Sequence, residues 1–466
     1  MIVPSGIAGK TYVVLGLGKT GNATALALMA GGAHVAAWDD NAPARDTAAA
    51  QNVAIVDPAL IDWKKVTALV MSPGIPHTHP KPHACAAAAK AAGVPIIGDI
   101  ALLFLAQPQA RYIGITGTNG KSTTTSLIAH ILRGAGLSVE VGGNLGTPVL
   151  SFAPLDADGV YVLELSSYQL ELMPHNLLQV AVMLNITPDH LDRHGGMGGY
   201  IGAKRRILSC ERPQTFICGL DDEPSRTLAA QAATMPHITL RGISQSAQKQ
   251  SVVYVDGARL VDNIDGTARV ILDLKTLANL VGAHNWQNIA AAYAAARALD
   301  IDTASIIAGI RGFPGLAHRQ QLVTARDGVR FINDSKATNA DAAGKALACY
   351  DNIYWIIGGQ PKEGGLNGLE SFMPCIRHAF LIGEASDAFA VWLNGKASYT
   401  RCGTLDKAVT AAAAMAAAEG CADAVVLLSP ACASWDQFRN FEHRGDVFAA
   451  LVHDLPAPAK YARSNA

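Results

Sequence analysis

One stretch restricts the fold of this chain more than any other: Tyr112 to Thr125, YIGITGTNGKSTTT. Tyr112, Ile113 and Ile115 read as a buried strand. Gly114, Gly117 and Gly120 make the turn that follows, and Lys121-Ser122-Thr123 opens a helix. That order builds a cradle for phosphate. Glycines lack the Cβ that would hold backbone N–H groups away from anionic oxygens, and the helix points its positive end at the same place. Lys121 can reach the outer phosphates as a point charge, and the Ser122 hydroxyl can ligate Mg²⁺. The register departs from the common G-x-x-x-x-G-K-S pattern. Its first glycine would fall at Ile115, and Gly114 and Gly117 flank that position instead. A plain glycine-rich turn with an exposed lysine is the alternative. The strict order of strand, Gly-Lys-Ser and helix favours phosphate.

With 466 residues the chain exceeds one hydrophobic core, and its length suggests about three domains. Half the residues are hydrophobic and 16% charged, so there is ample apolar surface to bury. A net charge of −1 offers no basic footprint for nucleic acid and no acidic tail. The start, MIVPSGIAGKTYVVLG, has no basic n-region and leads into a strand, so no signal peptide is expected. Apolar runs such as ALLFLA, 101–106, are too short to span a membrane. The eight cysteines form no CxxC pair and read as small buried hydrophobes of a reducing compartment. A cytoplasmic protein is expected, with no membrane or nucleic-acid partner, and a monomer.

The predicted class is α/β, in three α/β domains. Residues 1–108 form a Rossmann-like first unit. Tyr12–Leu15 is a strand, Gly16-Leu17-Gly18-Lys19-Thr20-Gly21 a tight turn into an Ala/Leu-rich helix, and His34–Trp38 a second strand ending at Asp39-Asp40. This is a complete dinucleotide-binding signature, and taken alone it says NAD. The strand Ala68–Met71 runs into Ser72-Pro73-Gly74-Ile75-Pro76, either a ligand-lining turn or an ordinary proline turn. Residues 109–316 carry the P-loop and further strands with polar endings: Val160–Leu163 before Glu164, and Val180–Leu184 before Asn185-Ile186-Thr187-Pro188-Asp189-His190. Residues 317–466 are a third, Rossmann-like unit, with Asn333 to Asn339 after one strand and Ser429 to Ser434 after another. The tail PAPAKYARSNA is expected to fray.

A P-loop needs a metal site beside it. Glu164 and His190 each follow a strand that could neighbour the P-loop strand, and their oxygen and nitrogen suit Mg²⁺ or Mn²⁺. Singly, Glu164 reads as a helix cap or surface acid and His190 as a loop histidine; together, beside Gly-Lys-Ser, they read as function. Lys204 lies on a helix whose apolar face is Tyr200, Ala203, Ile207 and Leu208. By that spacing Lys204, Arg205 and Arg206 read as the helix's solvated face, or phosphate binders, and the sequence favours the solvated face for all three. Asn285 and Asn288, three apart at a helix start, are either a capping pair or recognise adenine. Cys432 has no base nearby in sequence and reads as a core or turn residue.

The motifs TGTNGKST, ELSSYQLE, NITPDHLDRH, AKRRI, GAHNWQN and GLAHRQ, in this order, resemble the Mur ligases over essentially the whole chain. Those enzymes are ATP-dependent and form amide bonds in peptidoglycan precursor synthesis; folylpolyglutamate synthetases are close relatives. NDSKATN and LLSPACASWDQFRNFEHRGDVF look like the branch that adds D-glutamate. A DNPR-type pocket, expected where diaminopimelate is added, is not found.

The resemblance implies that the first domain binds the UDP of a UDP-sugar, not NAD, with Gly18, Lys19, Thr20, Asp39 and Gly74, and with Asn144 of the second domain. This chain has Asp39-Asp40-Asn41 where the family pattern is Asp-Thr-Arg. It further implies that ATP is held by Gly117, Thr118, Asn119, Gly120, Lys121, Ser122, Thr123, Asn285, Asn288, Arg319 and Asp334. Ser122, Glu164, His190 and Lys204 would hold Mg²⁺, for which Mn²⁺ can substitute, with Lys204 carbamylated by CO₂. D-Glutamate would meet Lys336, Thr338, Lys362, Ser434 and Phe441. Lys121, His190 and Lys204 would be the catalytic residues.

Overall fold

The computed structural model describes residues 1–210, 212–277, 279–362 and 364–456. The tail expected to fray lies, from residue 457, outside the described residues. Three separate sheets organise the chain. In the first, β1 (Thr11–Leu15), β2 (His34–Trp38), β3 (Val66–Met71) and β4 (Ile96–Ile97) run parallel in the order β2-β1-β3-β4. β1 and β3 bury almost every residue, as strands covered on both faces do. The helix Lys19–Ala30 follows β1 directly and stops at Gly31.

The second sheet holds β5 (Arg111–Thr116), β6 (Val139–Gly143), β7 (Val160–Glu164), β8 (Val180–Met183), β9 (Gln214–Gly219), β10 (Ile238–Ser244), β11 (Ser251–Asp256), β12 (Arg259–Asp262) and β13 (Arg269–Asp273). Their order is β13-β12-β11-β10-β9-β8-β5-β7-β6. Every pair is parallel from β6 across to β11, and β12 and β13 close the far edge antiparallel. The P-loop strand β5 is therefore interior, flanked by β7 and β8. The chain leaves β5 toward one side and returns to the other, which opens a crevice at the strands' C-terminal ends.

The third sheet comprises β14 (Gln321–Arg326), β15 (Val329–Asn333), β16 (Asn352–Gly358), β17 (Ile376–Ile382), β18 (Tyr399–Gly403) and β19 (Ala424–Leu428). Its order is β14-β15-β19-β16-β17-β18, parallel but for the β14–β15 hairpin. Trp355 and Leu427 pack into the core on one face, Tyr354 and Phe380 into that on the other.

The first two sheets belong to one compact unit, residues 1–274 with 285–313. Within it, Ile2 and Tyr12 of the first part share a core with Leu150, Tyr161 and Leu163 of the second, and the Ile2 N–H donates to the Leu150 carbonyl at 2.8 Å. The third sheet lies in the other unit, which runs from 275 to 284 and onward from 314. No described helix is long and apolar enough to cross a membrane. Among the described residues no disulfide joins any of the eight cysteines; Cys85, Cys210, Cys218 and Cys432 are buried as expected, whereas Cys349, Cys375, Cys402 and Cys421 are only partly so.

Candidate active site

β5 ends at Thr116, and the helix Lys121–Gly134 begins five residues on. Gly120 sits between them at φ +85, and a Cβ there would come within 2.2 Å of Asn288 Oδ1. The turn thus needs glycine both for its backbone and for its neighbour. Asn185, at the end of β8, fixes the tip of the loop: its Oδ1 accepts from the Asn119 N–H at 2.8 Å and its Nδ2 donates to the Asn119 carbonyl at 3.3 Å. Gln287 Oε1 accepts from the same Nδ2 at 2.9 Å. Thr118 Oγ1 is shared between the Tyr200 hydroxyl and the Thr187 backbone, each at 3.0 Å. Lys121 Nζ donates to the Gly117 and Thr118 carbonyls, both at 2.9 Å. These bonds brace the glycine-rich loop from the segment after β8 and from the helix that carries Tyr200.

Glu164 closes β7 with its side chain buried. The helix cap is supplied instead by Ser166, which forms a capping box with Gln169. Asn144 Nδ2 donates to Glu164 Oε1 at 2.8 Å, whereas Glu164 Oε2 is buried with no hydrogen-bond partner among the described residues. A buried carboxylate oxygen left so is a ligand position for a hard cation. Among the described residues no three of His, Cys, Asp or Glu gather to hold a metal. A cation here would complete its shell from hydroxyls and phosphate oxygens, and that donor set fits Mg²⁺. His190 follows β8 at φ +51, its side chain half exposed, with Nε2 3.4 Å from Asp189 and its ring 5.1 Å from Tyr168.

Lys204 corrects the sequence reading. It does not share the solvated face with Arg205 and Arg206, which are exposed; it is 1% exposed. The helix Met197–Arg205 turns Tyr200, Ala203 and Lys204 inward, and hydrophobic spacing cannot register a lysine whose partner is a carbonyl of another segment. Lys204 Nζ donates to the Gly117 carbonyl at 2.8 Å and to Thr116 Oγ1 at 3.5 Å, over the Tyr200 ring at 4.7 Å. Burial drives its ammonium well below the ordinary lysine value; the Lys121 charge adds to this and Asp189 opposes it. Asn288 is buried on the same side. Its Oδ1 accepts from Thr124 Oγ1 at 3.2 Å, and its Nδ2 donates to Asn285 Oδ1 at 3.1 Å.

In the first sheet, both Asp39 oxygens are engaged by backbone. Oδ2 accepts from the Leu17 N–H at 2.6 Å and Oδ1 from Asn41 at 2.8 Å. Asp39 therefore pins the glycine turn that carries Gly18, Lys19 and Thr20. Ser72 Oγ donates to the Gly16 carbonyl at 3.2 Å, which places Gly74 beside that turn.

In the third sheet's unit, Asp334 is buried beyond β15 and accepts from Gln320 N at 3.1 Å and Ser429 Oγ at 2.8 Å. Burial raises its pKa to about 7, against those hydrogen bonds and the Arg319 charge. Lys336 Nζ lies 5.0 Å over the Phe441 ring. Ser434 is buried, and Lys362 is exposed beyond β16. Arg444, which sequence reading passed over, is 0% exposed. Its guanidinium donates to Ser335 Oγ and O at 2.9 and 2.8 Å, to Cys432 O at 3.2 Å and to Ala433 O at 3.3 Å. It ties the loop bearing Lys336 and Thr338 to the loop bearing Ser434. Cys432 is a core residue, its thiol pushed up to about 12 by burial.

Asn185, Tyr200 and Thr187 were also missed. The run NITPDH signalled the segment, but which of its side chains bind the P-loop depends on strand order.

Residues 115–296 match the Mur ligase middle domain. The chain is 53% identical to the UDP-N-acetylmuramoylalanine–D-glutamate ligase of Paramagnetospirillum magneticum, over 96% of this chain and 97% of that one. It is 54% identical to that of Rhodospirillum rubrum, over 96% and 95%. Among solved structures, UDP-N-acetylmuramate-alanine ligase from Thermotoga maritima superposes with a TM-score of 0.56 at 17% identity, covering 95% of this chain and 99% of its own. With half its residues shared along nearly its whole length, and with the middle-domain match lying across its P-loop sheet, the chain belongs to the Mur ligase family, in the group of UDP-N-acetylmuramoylalanine–D-glutamate ligases.

Proposed function

We propose that the protein adds D-glutamate to UDP-N-acetylmuramoyl-L-alanine at the expense of ATP, through an acyl phosphate. The observation that carries the reading is the P-loop with the orphaned Glu164 oxygen on one flank and the buried Lys204 beneath it. The three α/β units, residues 1–108, 109–316 and 317–466, divide the work among UDP-substrate, nucleotide and amino acid.

The substrate carboxylate attacks the γ-phosphorus of ATP; an O–P bond forms and the bond to ADP breaks. Backbone N–H groups at the start of the helix Lys121–Gly134 and the Lys121 ammonium offset the charge that spreads over the transferring oxygens. The D-glutamate amine then attacks the acyl carbon, the C–N bond forms, phosphate departs, and the amine gives up a proton. Ser122, Glu164, His190 and Lys204 would hold Mg²⁺. When bound, it neutralises phosphate oxygens; Mn²⁺ has the same ligand preference. The depressed basicity of Lys204 favours a neutral amine, the form that takes up CO₂ as a carbamate and so becomes an oxygen ligand. Asn285, Asn288, Arg319 and Asp334 hold the nucleotide, and Asn144 orients Glu164 toward the reacting end of the UDP-substrate. Lys336, Thr338, Lys362, Ser434 and Phe441 receive D-glutamate, the lysines pairing its carboxylates. The protein works as a cytoplasmic monomer on small molecules.

The test is phosphate release in the presence of ATP, Mg²⁺ and UDP-N-acetylmuramoyl-L-alanine, with D-glutamate, L-glutamate, L-lysine or meso-diaminopimelate as acceptor. Release that needs D-glutamate and the UDP-sugar together is expected. Equal turnover with L-lysine or meso-diaminopimelate sinks the assignment.

A further inference from the structure

The segment Arg193–Gly195, just after His190, lies on the Ser72–Pro76 turn. Arg193 donates to the Ile75 carbonyl at 2.7 Å and reaches that of Pro73 at 3.5 Å. Its guanidinium stands 5.0 Å over the Tyr168 ring. Gly195, at φ +67, makes room for His79, whose Nε2 would be 2.8 Å from a Cβ at that position. Beside this seam His194, its side chain wholly enclosed, bridges Ser167 Oγ and Glu171 Oε1, each 2.9 Å from a ring nitrogen. The other carboxylate oxygen, Glu171 Oε2, is buried without a hydrogen-bond partner among the described residues. Nδ1 of His77, which follows the Ser72–Pro76 turn, stands 3.8 Å from that oxygen. One carboxylate thus faces two histidines, one from each α/β part of the unit.

We propose that Glu171 is a positioning residue: by holding His194 it seats the neighbouring Arg193, which donates to the Ile75 and Pro73 carbonyls, and so fastens the Ser72–Pro76 turn to the segment that carries His190 and sets the place of the UDP-linked substrate. The second half of this statement rests on the function proposed above; the fastening itself does not.

The surroundings give the strap a pH dependence. His77 is faced by Glu171, Arg193, Arg206 and His194, and His194 by Glu171, Ser167, Tyr168 and Tyr200. Burial, Arg193, Arg206 and His194 lower the basicity of His77, and only Glu171 raises it. A His77 exposed to water therefore takes a proton more readily than one in the seam. Acid favours the released arrangement, and the strap is firmest above the ordinary histidine pKa.

The test uses the full-length protein. Hydrogen exchange of the peptide covering residues 72–80, corrected for intrinsic rates, is measured at about pH 7.5 and about pH 5.5, alongside KM for the UDP-substrate and for ATP. Glu171→Gln is expected to speed exchange in that peptide at the higher pH and to raise KM for the UDP-substrate about tenfold, with KM for ATP and kcat held. His77→Leu should remove the pH dependence of exchange, and it carries the test if Glu171→Gln does not fold. Wild-type exchange and KM in Glu171→Gln, or an undiminished pH response in His77→Leu, overturns the proposal. A parent protein that binds no UDP-substrate refutes the proposed function and leaves the exchange measurement to judge the strap.

Discussion

The ammonium nitrogen of Lys204 lies 2.8 Å from the carbonyl oxygen of Gly117. A cation with no carboxylate in hydrogen-bond contact among the described residues, 1% exposed and beneath the glycine-rich loop, is costly to maintain. Its conversion to an anionic carbamate would turn a repulsive neighbour of Mg²⁺ into a ligand. Lys204→Ala should lose activity by about 100-fold, the scale on which groups around a metal act. Short carboxylates added to the solution should restore part of it. Lys204→Arg, which keeps the charge and cannot be carbamylated, should not. Parent-level turnover in Lys204→Arg would make the lysine a plain structural cation.

Gly120→Ala should leave the protein folded and ATP binding lost. The new methyl would meet Asn288 Oδ1 at 2.2 Å at a backbone angle of +85°, so the loop must move to relieve it. Isothermal titration with ATP on the parent and on Gly120→Ala checks this, and parent-level affinity in the variant would show that the loop tolerates the methyl.

Asp99 opens the helix Asp99–Ala106 with its carboxyl 4% exposed and Oδ1 unpartnered. Burial raises its pKa to about 6, against helix-terminal N–H groups that lower it. A carboxyl whose folded-state pKa exceeds the unfolded value of about 3.9 favours the fold while protonated. That contribution is complete below about pH 4 and is lost as pH rises toward about 6, at a cost of order 3 kcal/mol above it. Asp99→Asn, which imitates the protonated acid, should therefore be more stable than the parent at pH 7.5 and equal to it near pH 4. Urea midpoints at the two pH values decide this. An advantage of the same size at both would mean that the charge is not the cause.

Arg444→Met should destabilise the protein by about 3 kcal/mol, because buried acceptors lose a charged donor. Arg444→Lys should recover little, since one ammonium cannot span acceptors on Ser335, Cys432 and Ala433. In the lysine variant KM for D-glutamate should rise while KM for ATP changes less. Thermal melts and the pair of KM values provide the check, and a normal KM for D-glutamate would separate Arg444 from the amino-acid loops.

What the sequence disclosed and what it withheld divide along a physical line. Lys121 and Ser122 follow β5 within a few residues and Glu164 closes β7, so local pattern alone places them at strand ends. Lys204 was legible as a helical residue but not as a buried one, because its acceptor is the Gly117 carbonyl, 87 positions away. Arg444 depends on Ser335, 109 positions away, and Glu171 on the shorter but equally fold-made approach of His194. Asp99 stands at the head of an apolar run, with nothing local to mark it. Its carboxyl is isolated by the packing of that helix, which periodicity does not encode. The resemblance to the Mur ligases singled out Lys204; for Asp99, Arg444 and Glu171 it had nothing to say.

The separation of the sheets has a consequence for descent. The phosphate cradle hangs from β5, β7 and β8, whereas the loops that would greet the amino acid hang from β15, β16 and β19, in another hydrogen-bonded ladder. A change in the second set leaves the register of the first untouched. A lineage under pressure to build its wall from another amino acid can redraft one end of the gene and inherit its phosphoryl-transfer engine whole.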